Sequence, residues 1–362
     1  MKKVPAYQKI YLDLKNQIFQ GVYPYNSRIP TEKELADYYQ VSRITSKRAV
    51  DELANEHWVR RYPGKGSFVT YRSREKQSLQ IGVVLNFSTN HGLKEYLAGI
   101  QKGLTDSSYS IKAYYANQTG FSFETLLSAA ERNELAGLIL QAPVPTAFLS
   151  RLVQLFYKGF PVILLNQEMD GLPFSAVISQ DFLGGYQATR HAIEKGHEKI
   201  YFVAQTPIYS DAVVRQRYLG YLKAVTEENL SLPKLPYVPS FDRPTIDTPF
   251  MQDCLRQWEK HDLSCLVFEN DVLAIEFLSA ANTLGWDLPR DLSFIGFDDI
   301  PLAQLIEPHL TTIRQNFYEL GVQAALCLLE QLIPFKVTPE ETTQKRIEIP
   351  VALVERSSVA AR

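Results

Sequence analysis

Two sets of residues in this sequence have the types and spacing to do chemistry. The first is the short cationic run Ser42-Arg43-Ile44-Thr45-Ser46-Lys47-Arg48. Arginine and lysine pair with phosphate, and arginine forks onto a guanine edge. Serine and threonine reach phosphate or a thymine methyl. The second set closes short apolar runs further along the chain: Asn86, Asn166, Gln167, Asp181, Asn270, Asp271, Asp298, Asp299 and Gln315. Together with Arg217, in RQRYLGY, these carboxylates and amides can donate to and accept from a cluster of hydroxyl groups. Phe87, Phe268 and Trp286 are candidates to cover the apolar face of such a ligand. For any single member of this set, an N-cap on the next helix is an equal explanation, and Asp271 reads as such a cap. Their common position at the ends of apolar runs is what points to a site.

The cationic run needs a helix to present it. Ile10, Leu14 and Ile18 recur at intervals of four, with Tyr7 and Tyr11 beside them, and predict a first helix that stops at Gly21. Thr31 and Glu34 form a capping box after Pro30 and start a second helix, with Leu35, Ala36 and Tyr39 inward. Ser42 caps a third helix at once, Val41 lies in the turn, and Ala49, Val50 and Leu53 form the buried side. Two strand-like segments, 58–62 and 67–71, flank Pro63-Gly64-Lys65-Gly66, a hairpin turn with a lysine at its tip. A basic helix alone is equally a solvated surface. Short helices joined by a tight turn and followed by a hairpin predict a winged helix-turn-helix.

The polar run-ends need parallel sheets. Apolar runs at 80–87, 111–117, 137–141, 162–166, 176–179, 200–204, 265–268 and 293–297 alternate with helical patterns. About 280 residues is large for one such sheet, so two lobes are expected. In parallel sheets ligands bind beyond the carboxyl ends of strands, where the polar set stands. Between the two units, 71–80 is polar and reads as a linker, and 230–249 and 334–344 read as long loops.

Charge divides at the same place. Residues 1–78 hold 15 Lys and Arg against 8 Asp and Glu, whereas the rest of the 362-residue chain holds 23 against 32. A small basic unit joined to a large acidic one suits a polyanion met by the first and avoided by the second. The start of the sequence lacks the apolar stretch of a secretory signal, and no run approaches a membrane span, so the expectation is a cytoplasmic protein without membrane contact. Cys254, Cys265 and Cys327 are far apart and odd in number, which favours buried thiols over disulfides or a metal site. No phosphate-binding loop, nucleophile elbow, zinc-protease motif or dinucleotide fingerprint is present, and His191, His197 and His309 lack ligand spacing. Asp298 and Asp299 are neighbours at a strand end and point different ways, so they do not make an acid–base pair. An enzyme is therefore disfavoured, no cofactor is expected, and a transport binding protein would leave residues 1–78 unexplained.

Residues 5–70, with RIPTEKELA, VSR and GKGSFV, resemble the GntR family DNA-binding domain. That resemblance implies DNA contacts by Lys33, Ser42, Arg43, Thr45 and Lys47, with Gly66 close to DNA in the wing. Ile44-Thr45-Ser46 departs from the threonine-valine pair common in that family, which bears on base preference rather than fold. QDFLGGYQATRHAIEKGHEKIYFV, RYLGYLKA and the long segment from ENDVLAIEF to LTTIRQ resemble the LacI/GalR effector domain, related to periplasmic sugar-binding proteins. Here the implied effector contacts are Arg217, Asn270, Asp298 and Gln315, with Asp181 a weaker member. The combination resembles the arabinose repressors of Gram-positive bacteria and implies L-arabinose as effector, although the pocket residues do not distinguish it from another monosaccharide.

The expected architecture is α/β. A GntR-type winged helix spans 1–71, a linker 72–79, and a two-lobed periplasmic-binding-protein-like domain with parallel sheets spans 80–356. The expected partners are double-stranded operator DNA, a small sugar and a second copy of the chain. The helix faces at 96–103 and 188–195 are candidates for the dimer contact.

Overall fold

The computed structural model describes residues 5–19, 21–56, 58–62, 64–70, 79–86, 92–205, 207–209, 211–232, 248–332 and 344–362. Pro63, Phe87, nearly all of the expected linker and most of the two expected long loops lie outside these residues.

The N-terminal unit contains α1 (Ala6–Phe19), α2 (Glu32–Tyr39), α3 (Arg43–Asn55) and an antiparallel hairpin of β1 (Val59–Tyr62) and β2 (Gly66–Val69). Its core is Ile10, Leu14 and Ile18 from α1, Leu35 from α2, and Ala49, Val50 and Leu53 from α3, closed by Val59 and Val69. The capping box at Thr31 and Glu34 is formed in both directions. α2 stops where Gln40 turns left-handed at φ +50°, and Ser42 begins α3 two residues later. Arg61 of the hairpin pairs with both Glu32 and Asp51, tying the wing to the two helices.

The remainder forms two lobes. The first holds β3 (Gln80–Leu85), α4 (Leu93–Gly103), β4 (Ser110–Tyr115), α5 (Phe123–Glu131), β5 (Gly137–Leu140), α6 (Thr146–Tyr157), β6 (Val162–Leu165) and β7 (Ser175–Ser179). The second holds α7 (Asp181–Glu194), β8 (Ile200–Val203), α8 (Ala212–Glu227), α9 (Thr248–Lys260), β9 (Cys265–Phe268), α10 (Asp271–Thr283), β10 (Ser293–Asp298) and β11 (Thr311–Arg314). The chain then returns through α11 (Phe317–Leu332) and β12 (Arg346–Ile349) to the first lobe and ends in the second with β13 (Ala352–Val354). The first sheet runs β12-β7-β6-β5-β3-β4, all parallel. The second runs β13-β11-β10-β9-β8, antiparallel only at β13.

The eight expected runs all become strands, within two residues at each end. β11, β12 and β13 are absent from the eight expected runs: β12 and β13 are only four and three residues long and are broken apart at Pro350. Residues 357–362, beyond the expected end of the domain, pack onto the second lobe, where Ser358 is fully buried and the Arg362 amide donates to the Lys195 carbonyl.

The chain crosses between lobes at β7–α7, β11–α11 and β12–β13. The helices that follow the first two crossings, α7 and α11, each pack in backbone contact with a helix of their own lobe. A Cβ on Gly99 of α4 would lie 2.0 Å from the Tyr318 carbonyl of α11, and one on Gly185 of α7 would lie 2.0 Å from the Arg217 carbonyl of α8. Glycine is required at these approaches because any side chain would separate the helices. The two expected dimer faces are each partly buried within their own lobe. Tyr96, Gly99 and Ile100 of the first face are buried in the first lobe, and Ala188 and Ala192 of the second lie in the core of the second lobe.

Candidate effector cleft and DNA-reading face

The crossings bring distant strand ends together. Arg217, on the buried face of α8, donates from Nε to Asp181 Oδ1 at 2.8 Å, and its Nη1 donates to the Glu269 carbonyl. Asp298 Oδ1 stands 3.8 Å from Arg217 Nη1 and accepts from Gln315 Nε2 at 2.5 Å. Gln315 Oε1 in turn accepts from Asn166 Nδ2 at 3.2 Å and Ser179 Oγ at 2.5 Å, both on the first lobe. One amide side chain therefore joins the two lobes. The Arg217 guanidinium lies 3.7 Å from the centre of the Phe297 ring, a cation–π floor.

Arg217 is 5% exposed and Asp181 3%. Burial pushes the Asp181 carboxyl up to about 6, against the pull of Arg217. Burial also opposes the Arg217 charge, but Asp181 and Asp298 outweigh it and raise its pKa. Asp181 Oδ2 and Asn166 Oδ1 are buried acceptors without a hydrogen-bond partner among the described residues. Asn166 and Asp298 hold φ of +50° and +120°, backbone strain of the kind that collects at functional sites. A cavity of about 500 Å³ opens beside them, with Asp298, Gln315, Tyr318 and Glu95 in its wall.

The remaining expected residues sort differently. Asn270 is the N-cap of α10, accepting from the Leu273 amide at 2.9 Å, and its Nδ2 donates to Glu269 Oε1 at 3.4 Å. Asp271 was expected to cap this helix and does not. Its fully buried carboxylate accepts from the Ile300 amide at 2.9 Å and from Thr312 Oγ1, tying α10 to the strand ends. Asp299 turns away from Asp298 to pair with Arg314 and Arg356. Gln167 donates to the Leu140 and Ala142 carbonyls, and Asn86 accepts from Asn117. Phe268 and Trp286 belong to the core of the second lobe, not to the cleft. Ser179, Phe297 and Glu269 were not singled out in the sequence. The same rule finds the first two, because each is the last residue of its apolar run.

On the N-terminal unit, Lys33, Arg43 and Lys47 are exposed and have no ion pair among the described residues. Ser42 Oγ is occupied as the helix cap, accepting from the Thr45 amide at 3.2 Å and lying 2.8 Å from Thr45 Oγ1. Ser46 is buried and donates to the Glu32 carbonyl at 2.6 Å, locking α3 against the start of α2. Gly66 holds φ +105°, and a Cβ there would meet Arg28 Nε at 2.9 Å, so its backbone geometry already demands glycine. Among the described residues no helix is long and apolar enough to cross a membrane.

Comparison with known proteins agrees with this geometry. Residues 6–69 match the gntR family of bacterial regulatory proteins, and residues 189–359 match the periplasmic binding protein-like domain. The chain is 27% identical to the arabinose metabolism transcriptional repressor of Geobacillus stearothermophilus, over 91% of this chain and 92% of that one. It is 25% identical to the protein of the same name from Halalkalibacterium halodurans, over 89% and 88%. A LacI family transcriptional regulator from Enterococcus faecium, solved with bound ribose, matches with a TM-score of 0.63 and 27% identity, over 78% of this chain and 99% of that one. The chain is thus a transcriptional regulator, not an enzyme, in which a gntR-family winged helix domain is joined to a periplasmic-binding-protein-like effector domain of the LacI type.

Proposed function

We propose that this protein is a sugar-responsive repressor acting in the cytoplasm. Its winged helix, residues 1–71, binds operator DNA through Lys33, Arg43, Thr45 and Lys47, with Ser42 and Gly66 at the DNA surface. A linker at 72–79 connects this reader to a sensor that extends from 80 through 362. One module of this size reads a half-site, so a homodimer on a near-palindrome is the working form. The effector is a monosaccharide, with L-arabinose the choice that the two named relatives support. The ribose held by the Enterococcus faecium regulator makes another pentose the second reading.

The observation that carries this reading is the buried cluster at the lobe crossings, whose spare acceptors Asp181 Oδ2 and Asn166 Oδ1 suit sugar hydroxyls. Arg217 and Asn270 supply donors, and Asp298 and Gln315 sit where the lobes meet. A sugar bridging both lobes favours their closed arrangement and so alters the spacing of the two DNA readers. A coupling of about 1–3 kcal/mol lowers operator affinity by about 5–150-fold.

The test is a fluorescence-anisotropy titration of DNA from upstream of the protein's own gene, at fixed salt, with and without a panel of monosaccharides. Fixed salt matters because phosphate contacts make affinity steeply salt-dependent. Release by L-arabinose alone supports the full reading, and release by another sugar retains the architecture and replaces the effector. Asp298→Ala is expected to lose the sugar response while binding DNA normally; a fully responsive variant would remove Asp298 from the site.

A further inference from the structure

Ile44 is 81% exposed, the highest value among the exposed large apolar side chains of the described residues. It is the second residue of α3, directly after Arg43. The buried face of this helix is formed by Ser46, Ala49, Val50 and Leu53, so Ile44 points the opposite way, on the side shared with Lys47 one turn on. Neither folding nor helix propensity accounts for it, because a β-branched side chain there gains no packing and loses rotamer freedom.

The surroundings exclude an ordinary apolar contact. Arg43 and Lys47 flank Ile44 without ion pairs among the described residues. Asp51, the next acidic residue along this side, is already held by Arg61. An apolar protein surface covering Ile44 would bury those two cations without partners, which is costly. A DNA major groove meets both requirements. Its phosphates satisfy the cations, and the thymine C5-methyl is the one base-edge group there that rewards an aliphatic contact.

We propose that Ile44 is a specificity-determining residue that packs on a thymine methyl in each operator half-site. The proposal rests on the operator-binding reading above and adds a base to it. Arg43 and Lys47 set the helix on the backbone, and Ile44 selects thymine where they cannot.

The experiment replaces each thymine of the bound upstream DNA in turn by deoxyuridine, which removes the methyl group and leaves every hydrogen-bonding atom in place. The full chain and its Ile44→Ala variant are titrated by anisotropy against each DNA at one salt concentration. One thymine per half-site is expected to show a loss of about 3- to 10-fold for the unaltered protein on substitution. Ile44→Ala is expected to show a similar loss on the natural DNA and no further loss at that position. Unchanged thermal unfolding of the variant separates this from misfolding, as its exposure predicts. A deoxyuridine penalty that persists unchanged in Ile44→Ala, or no penalty at any thymine, overturns the proposal while leaving the repressor reading intact. Failure of the unaltered protein to bind any upstream DNA overturns both.

Discussion

Arg43 and Arg217 carry the same guanidinium into opposite surroundings. Arg43 stands in water at the start of α3, its side chain with no carboxylate partner among the described residues. Arg217 is buried between Asp181, Asp298 and the Glu269 carbonyl, over the Phe297 ring. The first arrangement keeps charge free for a partner that brings its own countercharge, and it is screened by salt. The second sets one cation between two carboxylates and fixes donors and acceptors before a ligand arrives, so its interactions are strong but cannot be altered without damage to the fold. One arginine serves recognition alone, and the other serves recognition and architecture together.

The strongest way to break this contrast is Arg217→Ala. It leaves Asp181 and Asp298 buried without their cation and is expected to destabilise the effector domain by about 3–5 kcal/mol and abolish the sugar response. Denaturant titration followed by calorimetry with the sugar reads both, and a variant that keeps its stability would show that the cluster is ligand-binding only. Arg43→Ala, by contrast, is expected to weaken operator binding by about 10- to 100-fold and to flatten the salt dependence, with stability and sugar affinity unchanged. Loss of sugar affinity in that variant would contradict the separation of the two regions.

A finer distinction comes from pH. Burial raises the folded-state pKa of Asp181 to about 6 from its ordinary 3.8, so the folded protein binds more protons than the unfolded chain between those values. The stability contributed by its protonation is fully present below about pH 4 and is lost as pH rises through 6. Relative to Asp181→Asn, the unaltered protein is therefore expected to gain up to about 1.4 kcal/mol per pH unit on acidification across that window. Urea unfolding at a series of pH values measures it; a flat difference would place Asp181 in a more solvated setting than the cluster implies.

The smallest effect sharpens the contrast from the other side. Arg215 of the second lobe and Asp170 of the first form a 2.7 Å ion pair at the rim, with Asp170 76% exposed. Asp170→Asn is expected to cost less than about 1 kcal/mol in denaturant titration, because an exposed pair is screened. A loss of several times that size would mean that the rim, not the Gln315 junction, holds the lobes together.

Legibility followed locality. The Thr31–Glu34 box, the Ser42 cap and the i, i+4 spacing of Ile10, Leu14 and Ile18 are decided within one or two turns of chain, and they stand as read. Asn270 and Asp271 could not be sorted in the same way. Both are polar and adjacent, and only the arrival of Ile300 and Thr312 from elsewhere gave Asp271 its partners and left the cap to Asn270. Phe268 illustrates the same limit, since a strand buried on both faces does not disclose which face meets the ligand.

By itself the sequence determined the order of elements, the division into a basic reader and an acidic two-lobed body, and the presence of polar residues at the strand ends. These follow from hydrophobic period, capping chemistry and charge, which act over short stretches of chain. Tertiary structure alone decided that Asp181, Arg217, Asp298 and Gln315 meet in one hydrogen-bonded cluster, that Gln315 joins the lobes through Asn166 and Ser179, and that Ile44 is left in solvent. The reason is physical. Asp181 and Gln315 are 134 positions apart, and only the packing of two sheets around three chain crossings places them within reach of each other.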